Sequence, residues 1–319
     1  MNLMQPFVSE KLTLKNKLVY PPVRIKRATD GYADYFHLAH YMSFAVGQVG
    51  LIIMEECAVT ADGRLGSGAL GLYEDGHVAM LAQIVTMLQN EGSKVAIQLN
   101  HAGSKSRLES GNIIQDINAL TAQDITALFD CYTRAAARAD KAGFDALEIM
   151  ASHEFLISQF IDRRTNQRSD KYADPVIFLT ELLTAVRKSW PEDKAIILRI
   201  GTRYCEEDSI SFTQKILRNI NPLIDIVHIS NGGSQMHGTN KGVAYQLEDT
   251  KGVKKGCEKP VIVVGGIRDH QLADDILEHQ YADLIAVGRG LLRNPNWYLE
   301  YLLKYDRKLI PRPYIRAFR

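Results

Sequence analysis

The stretch VIVVGGIRDHQLADDILEHQYADLIAVGRG, residues 261–290, decides how this chain folds. VIVVG (261–265) and DLIAVG (283–288) are apolar almost without interruption, and both end in glycine. A strand with one wet face alternates apolar and polar residues. A continuous run instead suits a strand covered on both faces, as in a parallel sheet. Between the two runs, DHQLADDILEHQ has the spacing of an amphipathic helix. Strand, helix and strand in that order make a parallel pair joined by a helical crossover.

Outward from this unit the same alternation fills the chain. The further apolar runs are KLVYP (17–21), LIIME (51–55), KVAIQL (94–99), DALEIM (145–150), AIILRI (195–200) and DIVHIS (225–230). Helical spacing marks FHLAHYMSFAVGQ, HVAMLAQIVTMLQNE, ITALFDCYTRAAARADKAG, FLTELLTAVRKSW and FTQKILRNI in the intervals. The interval after DIVHIS, GGSQMHGTNKGVAYQLEDTKGVKKGCEK, is mostly polar and reads as a long loop in which no helix is well marked. Eight strands alternating with helices, without a linker, predict an α/β fold: one (β/α)8 TIM barrel as a single domain over residues 1–319. A doubly wound sheet, which normally has fewer strands, is the alternative. No repeat of solenoid length is present.

Composition removes several classes of function. Lys and Arg number 38 against 37 Asp and Glu, a net charge of +1, so neither nucleic acid nor an anionic membrane surface is an expected partner. No apolar run approaches the roughly 20 residues of a membrane span, and MNLMQPFVSEKL has no signal-peptide pattern. Cys57, Cys131, Cys205 and Cys257 are far apart and form no C-x-x-C pair. Reduced thiols in the cytoplasm are therefore expected, with no metal site, cluster or disulfide framework.

A barrel gathers functional groups just past its C-terminal strand ends. Those positions hold Pro22 and Arg24, Glu55, Gln98, Asn100, His101, His153, Arg199, Asn231, the pair Gly265 and Gly266, and Gly288 with Arg289. Strands seven and eight run into VVGGIRD and AVGRGLLRNP. Glycines let backbone N–H groups approach phosphate oxygens, and a helix N-terminus or cation offsets the charge. Gly265, Gly266, Gly288 and Arg289 are thus candidates for a phosphate site. GSGALG (66–71) fits G-x-G-x-x-G, but the strand before it ends about ten residues earlier and LYEDG after it reads as loop. It is read as a flexible glycine loop, not a dinucleotide fingerprint. The amide of Gln98 both donates and accepts, which suits the pyrimidine edge of a flavin. The fixed charge of Arg199 suits the N1–C2=O region where reduced flavin becomes negative. Taken alone, either residue is equally well a packed polar group of the barrel mouth.

Six pieces in order carry a family resemblance: LTLKNKLVYPPV with ATDGYAD, GLIIMEECAVTADGRLG, VAIQLNHAG, AGFDALEIMASHEFLISQFIDRRTNQRSDKY, LRIG and VGRGLLRNPNW. Together they resemble the old yellow enzyme family of flavin oxidoreductases, which are FMN-binding barrels, along nearly the whole chain. The block from Glu148 to Tyr172 is similar to the 2,4-dienoyl-CoA reductase branch. Larger members of that branch add an iron–sulfur segment and further domains, which this chain is expected to lack. The resemblance implies that the backbone of Pro22 and Val23 lies against the flavin and that Gln98 and Arg199 bind its ring system. It implies that Gly265, Gly266, Gly288 and Arg289 hold the phosphate. NADPH or NADH is the implied electron donor, a small electron-poor molecule the acceptor, and a homo-oligomer (dimer or tetramer) the assembly.

Departures from the family pattern fall on the acceptor side. Relatives place two hydrogen-bond donors three positions apart after strand four to hold the substrate's carbonyl; here the pair is Met150 and His153. Two residues on, relatives carry a tyrosine that protonates the substrate; here it is Phe155, which has no exchangeable proton. Arg24 stands where relatives often have a small polar residue or thiol, and a cation there raises the flavin potential or binds an acidic substrate. Tyr32, Tyr35, His237 or water are the replacement acids to consider. Arg316, in the terminal PRPYIRAFR, is similar to an arginine that some relatives lend to a neighbouring active site; a frayed basic tail is the alternative. The expectation is an enzyme, an NAD(P)H-dependent FMN oxidoreductase, with His153, Arg24 and His237 as catalytic candidates. Met150, Phe155, Tyr32 and Arg316 are the candidate substrate contacts. A flavin-binding protein with little turnover is the first alternative. A flavin-free phosphate-binding lyase is the second; it needs a lysine or paired carboxylates at strand ends, where Glu55 stands largely alone.

Overall fold

The computed structural model describes residues 1–109, 111–204, 208–232 and 242–318. A short antiparallel hairpin, β1 (Phe7–Val8) and β2 (Thr13–Leu14), comes first. The barrel strands are β3 (Leu18–Tyr20), β4 (Leu51–Ala58), β6 (Lys94–Asn100), β7 (Ala146–Ala151), β8 (Ala195–Ile200), β9 (Ile226–Ile229), β10 (Val261–Val264) and β11 (Leu284–Ala286). All pair in parallel, in the order β3-β11-β10-β9-β8-β7-β6-β4, and β3 pairs with β4 to close the ring. That closure excludes the doubly wound alternative. β5 (Leu70–Gly71) pairs in parallel with the last two residues of β4, Cys57 and Ala58.

The helices that cover the ring are α1 (Tyr35–Val46), α2 (Val78–Asn90), α3 (Ala122–Lys141), α5 (Pro175–Arg187), α6 (Ser209–Ile220), α7 (Leu247–Lys254), α8 (His270–Glu278) and α10 (Trp297–Tyr305). Two short helices, α4 (Leu156–Ile161) and α9 (Arg289–Arg293), sit in the loops after β7 and β11. Side chains set several starts. Asp34, Asp174, Asp208 and Asp269 each accept backbone N–H groups of the first turn, and Thr121 with Asp124 forms a capping box. Helix α7 corrects the reading of the polar interval as loop. Its buried face is only Thr250 and Val253, too little to mark a period in the sequence.

Two apolar layers follow from strand alternation. Ile52, Met54, Val95, Ile97, Leu147 and Leu198 face outward onto the helices. Inside, Val19, Leu51, Ile53, Ala96, Ala146, Ile197, Ile226, Ile262 and Leu284 fill the lower barrel, and Phe7, Leu12 and Leu14 of the hairpin pack against them as a plug. One irregularity matters for function. The pairing of β4 with β6 shifts between Met54 and Glu56, so Glu55 is the extra residue of a bulge. Glu55 accepts from the Tyr41 hydroxyl of α1 at 3.5 Å and from the Ile25 N–H at 2.9 Å, while Glu56 takes the inward position opposite Gln98.

Candidate active site

Above the apolar plug the inward strand positions turn polar. Glu56, Gln98, Asn100, Glu148, Arg199 and His228 form one buried layer at the C-terminal mouth. Gln98, Glu148, Arg199 and His228 each follow an inward apolar residue two positions earlier, Glu56 follows one three positions earlier because the bulge intervenes, and Asn100 is the next inward position after Gln98. Gln98 Nε2 donates to Glu148 Oε1 at 2.6 Å, and His228 Nδ1 lies 2.6 Å from Glu148 Oε2. Burial lowers the pKa of His228 against the pull of Glu148, so the ring is neutral near pH 7 and donates its Nδ1 proton to that carboxylate. Asn100 Nδ2 donates to Glu56 Oε2 at 3.2 Å, and an Arg199 guanidinium nitrogen donates to Ser230 Oγ at 2.9 Å.

Among the described residues, four atoms of this layer are buried without a hydrogen-bond partner: Glu56 Oε1, Asn100 Oδ1, Arg199 Nε and His228 Nε2. Such groups cost about 1–3 kcal/mol each unless something polar meets them. Burial pushes the Glu56 carboxyl up to about 7, although Arg24, at 3.6 Å, and Arg199 both favour its charged form. Burial likewise lowers the Arg199 pKa, while Glu148 and Glu56 raise it.

Beside the layer lies a glycine cradle. Gly265 and Gly266, just past β10, have φ of 123° and 72°, conformations open to glycine and strained for other residues. A Cβ on Gly266 would come 2.4 Å from the Gly242 carbonyl oxygen. Gly288 precedes α9, whose first residue is Arg289. With Pro21, Pro22, Val23, Arg199, Tyr245, Arg268 and Arg293 these residues line a cavity of about 150 Å³. All the cofactor candidates except Gln98 border this one cavity; Gln98 lies in the polar layer that Arg199 shares with it.

The third group is apolar. Met150, Phe155 and Ala102 pack together with Leu65 against them. His153 and Glu154 both have φ of 61°, two consecutive left-handed residues of the kind that strain holds at functional sites. The His153 Nδ1 atom is 2.7 Å from Ser152 Oγ, its ring stacks 6.4 Å from Phe155, and it lies so close to Gly232 that a Cβ there would clash. The remaining candidates fare differently. The Tyr32 hydroxyl is held by Glu74 at 2.5 Å, which raises its pKa, and Tyr35 is 74% exposed. Arg316 is exposed in the turn Arg312–Phe318, and His237 lies outside the described residues.

Glu56, Glu148, His228, Tyr245, Arg268 and Arg293 were not singled out from the sequence. Strand alternation alone points Glu148 and His228 inward with Ala146 and Ile226. For Glu56 the same rule fails, because the bulge exchanges it with Glu55.

Comparison with known proteins shows the family and the fold. The sequence profile of the NADH:flavin oxidoreductase / NADH oxidase family matches residues 2–305. An NADPH dehydrogenase of Clostridium acetobutylicum is 36% identical, with all of both chains aligned. Among solved structures, an old yellow enzyme homologue from Zymomonas mobilis superposes with a TM-score of 0.80 at 21% identity, over 96% of this chain and 94% of the other. A 2-naphthoyl-CoA reductase reaches 0.86 at 18% identity, over 97% of this chain and 53% of its own. With the profile covering the barrel and a relative aligned end to end, this chain belongs to the NADH:flavin oxidoreductase / NADH oxidase family, the old yellow enzymes, and is an oxidoreductase in that general sense.

Proposed function

We propose that the chain is an FMN-dependent oxidoreductase that draws on NADPH or NADH and reduces a small electron-poor acceptor of enone, enoyl or quinone type. One observation carries the proposal: a positive-φ glycine cradle flanked by arginines adjoins a buried layer with unpartnered donors and acceptors. These residues fit FMN. Gly265, Gly266, Gly288 and Arg289 would hold the phosphate, the Pro22–Val23 backbone would face the ring, and Gln98 and Arg199 would meet its polar edge. Bound FMN supplies two-electron chemistry between the nicotinamide and the acceptor. Glu148 does not need to touch either; it accepts one hydrogen bond each from Gln98 and His228 and so fixes how both present their remaining polar atoms. Arg199 brings positive charge to a dry site, where it favours an anionic ring edge more than it would in water. His153 is the acceptor-side donor of the proposal, and Arg24 is a cation that reaches Glu56 of the buried layer. A homo-oligomer in the cytoplasm, with Arg316 reaching a neighbouring copy, completes this picture.

The apolar packing of Met150 and Phe155 favours a second reading, a flavin-binding protein with little turnover. The test is an anaerobic absorbance spectrum before and after NADPH or NADH. A yellow protein that either nucleotide bleaches supports the oxidoreductase, and subsequent screening with enones and quinones separates turnover from storage. A yellow protein that neither nucleotide bleaches favours the binding protein. A colourless protein that takes up no FMN overturns both.

A further inference from the structure

Beside the mouth lies a larger cleft of about 580 Å³, walled by Arg24 to Asp30 on one side and Leu65 to Ala69 on the other, with Arg107 also lining it. Here one glycine of GSGALG, Gly68, finds its use. Ala28 N–H donates to the Gly68 carbonyl at 3.1 Å, and a Cβ on Gly68 would sit 2.7 Å from the Lys26 carbonyl oxygen. Glycine lets the two walls touch, and the contact pins the backbone that carries Lys26. Lys26 itself has a φ of 61°, a conformation lysine seldom adopts outside a site that holds it there.

The cleft is strongly cationic in a chain of nearly balanced charge. Among the described residues, Arg24, Lys26, Arg27 and Arg107 line it, against one wall carboxylate, Asp30. Arg27 is committed to Asp34 at 3.6 Å and to the Phe36 ring, and Asp30 lies 3.9 Å from Arg64. Lys26 and Arg107 have no ion-pair partner among the described residues. A concave wall of one sign concentrates its field on an anion. Two residues join this cleft to the active site. Arg24 reaches Glu56 of the buried layer, and Leu65 packs on Met150 and Phe155.

We propose that this cleft holds the oxyanion end, carboxylate or phosphate, of the acceptor whose other end reacts at the mouth, so that the enzyme reduces acidic small molecules in preference to neutral ones. The inference rests on the flavin reading for what reacts at the mouth. The phosphates of NADPH offer the same chemistry, and the test separates the two sources.

The probes are 4-carboxycinnamaldehyde and its methyl ester, which share a reacting enal and differ in charge. Titration calorimetry on the FMN-loaded protein is expected to show the acid binding about tenfold tighter, equivalent to about 1.4 kcal/mol, with the preference shrinking in high salt. The double variant Lys26→Ala/Arg107→Ala is expected to bind acid and ester alike, with the ester's Kd unchanged. Arg107→Gln alone, at an exposed side chain, guards against misfolding of the pair and is expected to lose part of the preference. Equal binding of acid and ester by the unaltered protein overturns the proposal. So does a double variant that keeps the acid preference but loses affinity for NADPH, which assigns the cleft to the nucleotide. Failure to bind FMN refutes the flavin reading alone, because calorimetry reads the acid-over-ester preference in flavin-free protein too.

Discussion

Replacing Glu56 by Gln tests the electrostatics of the buried layer. Burial raises the folded-state pKa of Glu56 from 4.5 to about 7. The folded chain therefore prefers the protonated acid, while the unfolded chain ionises at lower pH. The stability this group contributes is complete below about pH 4.5 and is lost as pH rises through about 7. A rise of about 2.5 pH units at about 1.36 kcal/mol per unit amounts to about 3 kcal/mol lost by alkaline pH. Glu56 is only 7% exposed, so solvent screening does little to reduce that figure. Gln keeps the shape and an acceptor for Asn100 Nδ2 but never ionises. Urea unfolding of both proteins is expected to differ by less than about 1 kcal/mol near about pH 5 and to favour Glu56→Gln by about 2–3 kcal/mol near about pH 8.5. A difference that does not change with pH refutes the argument. A variant less stable at the higher pH would mean that Arg24 and Arg199 hold the group as a carboxylate.

Three further outcomes are expected. Gly266→Ala places a Cβ 2.4 Å from the Gly242 carbonyl at a φ of 72°; it should lose about 1–2 kcal/mol of stability and most FMN affinity, and unchanged FMN binding by fluorescence titration would remove the cradle from the proposal. Glu148→Ala takes the partner from both Gln98 and His228 in a buried layer and should cost about 3 kcal/mol or more by urea unfolding; a loss below about 1 kcal/mol would contradict the network. Phe155→Tyr restores the proton donor that relatives carry and should raise enone reduction in steady-state assays, whereas an unchanged rate would sink the missing-acid explanation.

The barrel was legible because its strands, covered on both faces, are written as continuous apolar runs, and each of the eight runs became a barrel strand. What escaped had little apolar signal. The two-residue strands of the N-terminal hairpin are too short to show a period, and α7 buries only two residues. Within the site, Arg199 and the glycines were legible from their place at strand ends. Glu148 and His228 were readable by alternation yet look like ordinary members of apolar runs. Glu56 was hidden for a different reason: a one-residue bulge decides which of two adjacent glutamates enters the barrel, and no periodicity reports it. Nor does sequence spacing bring Arg268 and Arg293 to one cavity; the loops after β10 and β11 do that.

The bulge also bears on which lengths the first loop can adopt. Loops at a barrel's catalytic pole ordinarily gain and lose residues freely. Here Arg24 pairs with Glu56 on the inner side of the wall, while the next residue, Ile25, donates its N–H to Glu55 on the outer side. Two neighbours in the loop are thus keyed to two neighbours in the strand, one through each face. A single insertion before Arg24, or a single deletion at the bulge, would unseat both pairs together. In this loop a change in length is therefore tolerated best beyond the Ala28–Gly68 hydrogen bond, past the two keyed residues.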